Sequence, residues 1–241
     1  MKTFKEKVAV ITGAGSGMGR YLAILLAKDG ADVCVCDVNE ETLNETVAML
    51  RKYNVSVSSH LLDVSDKESI EALPQKVIDQ HGKVDLVFNN AGVTAGSHFK
   101  DMDEDNWDWV MGINFDGVIN STRAFIPHLI NHSEAAIVNT SSIFGMVAVP
   151  GQTVYHATKF AVRGFTETLM VEFHKSPISI HNVMPGKIKT AIADDFESDT
   201  YKKTLDKFPN SKLGIDNWKK HIESFGFGNY LGYDHPIGRP G

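Results

Sequence analysis

Lys7-Val-Ala-Val-Ile-Thr12 is followed at once by Gly13-Ala-Gly-Ser-Gly-Met-Gly19, and then by Arg20-Tyr-Leu-Ala-Ile-Leu-Leu-Ala-Lys28. The first run is short, apolar and β-branched, the pattern of a strand buried on both faces of a parallel sheet. The last has the composition of a helix, with Gly30 placed to end it. The turn between them has the spacing Thr12-Gly13-x-x-x-Gly17-x-Gly19. It departs from Gly-x-Gly-x-x-Gly because Met18 stands where the last glycine of that pattern falls. Small residues ahead of a helix leave free N–H groups at the positive end of its dipole, a seat for a phosphate. Glycines there also serve simply to satisfy backbone torsions, so the turn alone leaves both readings open.

The alternation continues along the chain. Strands are expected over residues 31–36, closed by Asp37, over 55–62, closed by Asp63, and over 84–89, 135–140 and 178–184. Helices are expected over 40–53, 65–81, 105–132 and 151–175. Ser65 and Glu68 have capping-box spacing, and Pro74 is expected to kink or shorten the helix that follows. Strands alternating with helices of this length imply βαβ units: an α/β, doubly wound parallel sheet with helices on both faces. No linker-like stretch interrupts the series, so one domain over 1–241 is expected.

A chain of 241 residues buries roughly 70–75% of its unfolded surface, so its core needs neither metal nor disulfide. A formal charge of −6 argues against a nucleic-acid or anionic-membrane surface. No apolar run approaches a membrane span, and the N-terminal run is too short for a signal-peptide core. Cys34 and Cys36 are the two cysteines. On a strand they share a face about 6.6 Å apart with parallel side-chain vectors, poor geometry for a disulfide. They read as buried thiols that suit a reducing compartment, and the expected location is the cytoplasm.

Asp37 lies eighteen residues past Gly19. There a carboxylate accepts hydrogen bonds from a ribose diol and repels a 2′-phosphate, and neither Ser16 nor Val38 offers a cation. NAD is therefore favoured over NADP. Asp63 and Val64, at the next strand end, are placed to contact adenine. Farther on, Tyr155 and Lys159 stand four apart, with Ser142 thirteen residues before the tyrosine. On a helix such a pair shares one face. A free phenol has a pKa of about 10. An ammonium about 4 Å away, at an effective dielectric near 20, contributes roughly 4 kcal/mol toward the phenolate. Lowering the phenol by about two units needs about 2.7 kcal/mol, which makes Tyr155 a candidate acid/base. The spacing by itself equally fits a surface pair.

The glycine turn, Asn89-Asn90-Ala91-Gly92, Ser142, Tyr155 and Lys159, taken in this order, resemble the short-chain dehydrogenase/reductase family, over residues 5–193. The resemblance implies a Rossmann-like fold and an NAD(P)-dependent oxidoreductase that interconverts an alcohol and a carbonyl compound, working as a homo-oligomer (dimer or tetramer). It implies cofactor contacts from Gly13, Ser16, Gly17, Met18, Gly19, Asp37, Asp63, Val64, Asn90, Ala91, Gly92, Tyr155 and Lys159, and from Pro185, Gly186, Ile188 and Thr190 after the sixth strand. By the same resemblance Ser142 orients the substrate, Tyr155 exchanges the proton, and Lys159 holds the nicotinamide ribose and lowers the phenol's pKa. Asn114, in Trp107-x-x-x-x-x-x-Asn114, matches the fourth catalytic residue, which shapes a helix and holds a water.

Other features carry less. His128 and His132 have i, i+4 spacing but no third ligand, and read as a solvated helix end, so no metal is expected. His156 points away from Tyr155 and reads as packing or cleft wall. Trp107 and Trp109 read as packing. Trp218 with Lys219 and Lys220 is too little for nucleic acid in an acidic chain. Val93, Ile143, Phe144, Met146, Val147 and Val149 form either an apolar substrate wall or core. Past residue 193 the resemblance fades, in a region where relatives carry a substrate lid and a seventh strand, and no β-branched run for that strand is visible. Two other functions stay open: a catalytically silent NAD-binding regulator, and an epimerase or dehydratase that retains its NAD.

Overall fold

Val8–Thr12 is buried at every position and forms β1, the strand on which the sheet is built. β2 (Asp32–Asp37) and β3 (Val57–Leu61) lie to one side of it, and β4 (Leu86–Asn89), β5 (Ala135–Thr140) and β6 (Ile178–Val183) to the other. The order is β3-β2-β1-β4-β5-β6 and every pairing is parallel. The computed structural model describes residues 3–186. Expectations for Ile188, Thr190, residues 193–241 and a seventh strand lie outside them. Among the described residues no helix is long and apolar enough to cross a membrane.

Successive side chains of a strand point to opposite faces, and β1 shows both. Ala9 and Ile11 pack with α1 (Gly17–Lys28) and α2 (Glu40–Leu50), through Ala23, Leu26, Leu43 and Leu50. Val8 and Val10 pack with α3 (Lys67–His81), α5 (Gly117–Leu129) and α6 (Thr153–Glu172), through Ile70, Leu73, Phe125 and Leu169. The doubly wound α/β fold is therefore present. Cys34 and Cys36 are free, buried, and 4.0 Å apart at sulfur, small apolar residues of the second core.

Several local details differ from the sequence reading. The cap of α3 is Asp66, not Ser65: its carboxylate accepts from the N–H groups of Glu68 (3.1 Å) and Ser69 (3.4 Å), while Ser65 donates to Asp63. Pro74 does not shorten α3, because it is buried with Ile70, Leu73 and Val77 and packing outweighs the missing bond. The expected helix over 105–132 is instead α4 (Glu104–Met111), a wide π turn (Gly112–Asp116) and α5.

His132 is also more than a solvated helix end. Its Nδ1 lies 3.4 Å from Asp85, a buried carboxylate at the amino end of the sheet. Asp85 accepts from Val8 N–H at 2.9 Å and pairs with Lys83 (3.0 Å) and Lys7 (3.6 Å). Burial, the largest influence, pushes its pKa up, but the Val8 N–H, Lys83 and Lys7 together hold it below the ordinary value. A depressed carboxylate stabilises the fold above about pH 4, and that contribution is lost as pH falls through the folded pKa. Asp85→Ala should cost about 2–3 kcal/mol in urea unfolding at pH 7, and Asp85→Asn, which can still accept from Val8, clearly less. Equal stability of Asp85→Ala and the parent chain would remove Asp85 from this role.

Candidate active site

The chain leaves β1 and β4 in opposite directions, and the crevice opens at the carboxyl ends of these two neighbours, where open α/β sheets bind ligands. Two turns are stitched together there. The Thr12 hydroxyl accepts from the N–H groups of Asn90 and Ala91, each at 3.1 Å. The Asn90 amide donates back to the carbonyls of Thr12 (3.0 Å) and Gly13 (3.2 Å). Gly13 has φ +64°, and a Cβ on it would stand 2.7 Å from Ala91 Cα, so only glycine lets the turns approach this closely.

A cleft of about 340 Å³ lies over this junction. It brings together Gly13, Ser16, Gly17 and Met18 from the glycine turn, Asp37 from the end of β2, Asp63 and Val64 from beyond β3, and Asn90, Ala91 and Gly92 from beyond β4. Gly19 is buried in the first turn of α1. Ser16 precedes α1 in an extended conformation and makes no side-chain cap bond, so no side chain of its own blocks the helix's positive end. Asp37 Oδ2 accepts from Gly15 N–H at 2.7 Å and its Oδ1 from Asn39 N–H at 3.0 Å. One cation stands nearby that the sequence reading missed. Arg20 binds the carbonyls of Gly15 and Thr42, the Thr46 hydroxyl and the Glu45 carboxylate, and so is committed to holding the turn against α2. An open helix N-terminus, a close-packed glycine turn and a carboxylate at the cleft edge fit a dinucleotide.

The second cluster lies on β5 and α6. Ser142 follows β5, and its hydroxyl accepts from Phe144 N–H at 3.1 Å. Tyr155 sits one turn into α6, buried, with Phe144 edge-on at 6.2 Å and the Ser142 hydroxyl as a hydrogen-bond partner. Lys159 is buried too; its Nζ donates to Thr140 O at 2.9 Å and lies 5.5 Å from the centre of the Tyr155 ring. Asn114 lies in the π turn, fully buried. Its Oδ1 accepts from Val93 N–H and its Nδ2 donates to Val93 O, both at 2.8 Å, and Nδ2 also donates to Thr158 at 3.2 Å. Gly92 joins the two clusters: a Cβ there would meet Asn114 Oδ1 at 3.3 Å and Lys159 Nζ at 3.5 Å. Pro185 and Gly186 follow β6, and Pro185 O accepts from Ile143 N–H at 3.0 Å, beside Ser142.

The sequence of short chain dehydrogenases, taken as a family model, matches residues 7–200. The chain belongs to the short-chain dehydrogenase family. SadH of Mycobacterium tuberculosis, named as an oxidoreductase, is 44% identical over 200 residues, which are 80% of this chain and 71% of that protein. The 3-oxoacyl-[acyl-carrier-protein] reductase FabG of Thermotoga maritima is 34% identical over 86% of this chain and 85% of its own. The crystal structure of a short-chain dehydrogenase/reductase from Burkholderia phymatum in complex with NAD has a TM-score of 0.80 and 32% identity, over 94% of this chain and 87% of that one.

Two further features of this short-chain dehydrogenase were not legible in the sequence. His156 is a loop staple: its Nδ1–H donates to Phe144 O and its Nε2 accepts from Val149 N–H, both at 2.9 Å. Burial pushes its pKa down, which keeps it in the neutral form this pairing requires. Trp107 packs edge-on to Phe99 at 6.1 Å, as expected, but Trp109 does not pack away: it is 47% exposed and lines the cleft.

The charges at Tyr155 and Lys159 also correct the simplest electrostatic picture. Burial pushes the phenol up, and the Ser142 hydrogen bond offsets this only in part. Burial likewise lowers the Lys159 ammonium from 10.5 to about 8, so a carbonyl bond alone does not repay its desolvation. The unfolded chain therefore binds the extra proton between about pH 8 and 10.5, and stability from this group rises with pH across that window. At pH 7 the buried charge costs on the order of 3 kcal/mol. Lys159→Met should accordingly raise the unfolding free energy by about 1–3 kcal/mol at pH 7, with the gain shrinking toward pH 10. A variant less stable than the parent at pH 7 would show that the ammonium holds the fold together instead.

Proposed function

We propose that this chain is an NAD(H)-dependent dehydrogenase that interconverts a fairly apolar alcohol, above all a secondary one, and the corresponding ketone or aldehyde. The observation that carries this reading is the approach of Lys159 to Gly92 at the cleft, with the Tyr155 ring beside its ammonium and the Ser142 hydroxyl bonded to the phenol. The cofactor, when bound, supplies the hydride donor or acceptor. The chain's own residues handle the oxygen. The Ser142 hydroxyl orients it, the Tyr155 phenol gives it a proton in reduction or takes one in oxidation, and Lys159 favours the phenolate and a ribose hydroxyl partner. Asn114 acts through Val93 and Thr158, fixing the backbone on either side of the site.

The Asp37 carboxylate supports NAD over NADP, because the nearby cation, Arg20, is already committed to Glu45 and to backbone carbonyls. Ile143 is exposed, and Phe144, Met146, Val147 and Val149 are only partly buried, which supports their reading as an apolar wall rather than core. The likeness to the Thermotoga reductase adds 3-oxoacyl thioesters to the carbonyl compounds worth assaying.

The test is an NAD-coupled absorbance screen over secondary alcohols, hydroxysteroids, sugars and 3-hydroxyacyl compounds. On any substrate it finds, Tyr155→Phe should lose about 10²–10⁴-fold in turnover and keep NADH affinity within about threefold. A fully active Tyr155→Phe variant would overturn the acid/base assignment. NADH binding without turnover on any compound would point to a silent regulator.

A further inference from the structure

Trp109 is the feature of the cleft that the proposed chemistry leaves unused. It lies in the last turn of α4, and α4 and the π turn cross the carboxyl end of β3. Gly112 abuts Ser65 and Gly117 abuts Val64, so closely that a Cβ on either would touch at 3.4 and 3.0 Å. Residues three and four apart on a helix share a face, so Trp109 stands above Gly112 and Ile113, over the loop that carries Asp63 and Val64. Trp109, Ile113, Asp63 and Val64 all line the cleft. The neighbouring indole, Trp107, already has an aromatic partner in Phe99. Trp109 has no ring contact among the described residues, and 47% of it is exposed.

An exposed indole beside Val64 and Ile113 makes a flat apolar wall, and Asp63 adds a carboxylate at its edge. That combination suits a planar heteroaromatic with an amino group: its face against the indole, its N–H toward the acid. We infer that Trp109 is the adenine platform of the cleft, a positioning residue that sets affinity for the adenine half of the dinucleotide. The inference rests on the reading of the cleft as a dinucleotide site. Base–aromatic stacking of this kind is worth about 5- to 100-fold in affinity.

ADP-ribose, which has the adenine half and no nicotinamide, is the probe. Calorimetry should show Trp109→Ala binding ADP-ribose about 5- to 100-fold more weakly than the parent chain, and Trp109→Phe within about threefold of it. Nicotinamide mononucleotide, tested by competition against NADH, should be unaffected by either change. ADP-ribose should quench the intrinsic fluorescence of the parent and of Trp107→Phe, and the quench should vanish in Trp109→Phe. Unchanged ADP-ribose affinity in Trp109→Ala overturns the inference, including the case where sedimentation shows that the change alters assembly of copies. A parent chain that binds neither ADP-ribose nor NADH overturns the dinucleotide reading itself, and the inference with it.

Discussion

The hydroxyl of Thr12 accepting two backbone N–H groups from Asn90 and Ala91 is the contact on which the rest of the site depends. β1 and β4 are sheet neighbours whose chains depart to opposite sides, and without a tie their turns would splay apart. The hydroxyl and the returning Asn90 amide lock them, and Gly13 lets the backbones meet. Behind this junction a buried polar relay carries the same order across the sheet. Asn89 donates to Asn139 at 2.8 Å, Asn139 donates to Thr166 on α6 at 3.0 Å, and Asn89 also reaches Thr122 on α5. Buried amides are costly unless paired, so the relay fixes the register of β4, β5 and α6. That register sets Lys159, beside the Tyr155 ring, against Gly92 at the cleft.

Rigidity there has a purpose that the charges reveal. An ammonium placed in a dry site beside a phenol is a strained arrangement, and burial raises the phenol and lowers the amine together. Near neutral pH both groups therefore hold their protons, and forming the phenolate calls for a further favourable partner beside it. The surrounding hydrogen bonds, from Ser141 to Lys159 O at 2.7 Å and from Thr158 to Tyr155 O at 2.8 Å, hold the helix that bears this cost. Stability given up at a reactive centre is a common trade in enzymes.

Much of the architecture was legible in the sequence because it rests on local pattern. The β-branched runs became strands within a residue or two, with residues 135–140 matching at both ends, and the glycine turn, Asp37, Asn89–Gly92 and Tyr155 with Lys159 fell where short-range signals placed them. Other parts required knowledge of what lies opposite. Asp66 took the cap because its carboxylate, not the Ser65 hydroxyl, was in reach of the free N–H groups. Arg20 looks like an ordinary helix residue until Glu45 and the Gly15 carbonyl are seen beside it. Asp85 and His132 are distant in sequence and meet only at the sheet's amino end. Asn114 sits in a π turn that no periodicity marks. Tyr155 and Lys159 lie on one helix, as their spacing implies, but their electrostatics were not legible, because burial of the lysine itself does not show in a spacing.

The proposed preference for NAD(H) rests on the Asp37 carboxylate at the edge of the cleft. Calorimetric titration of the purified chain with NADH and with NADPH tests it most directly. NADH should bind at least about tenfold tighter, since a 2′-phosphate would meet a carboxylate with no free cation beside it among the described residues. NADPH binding as tightly as NADH, or more tightly, would contradict it.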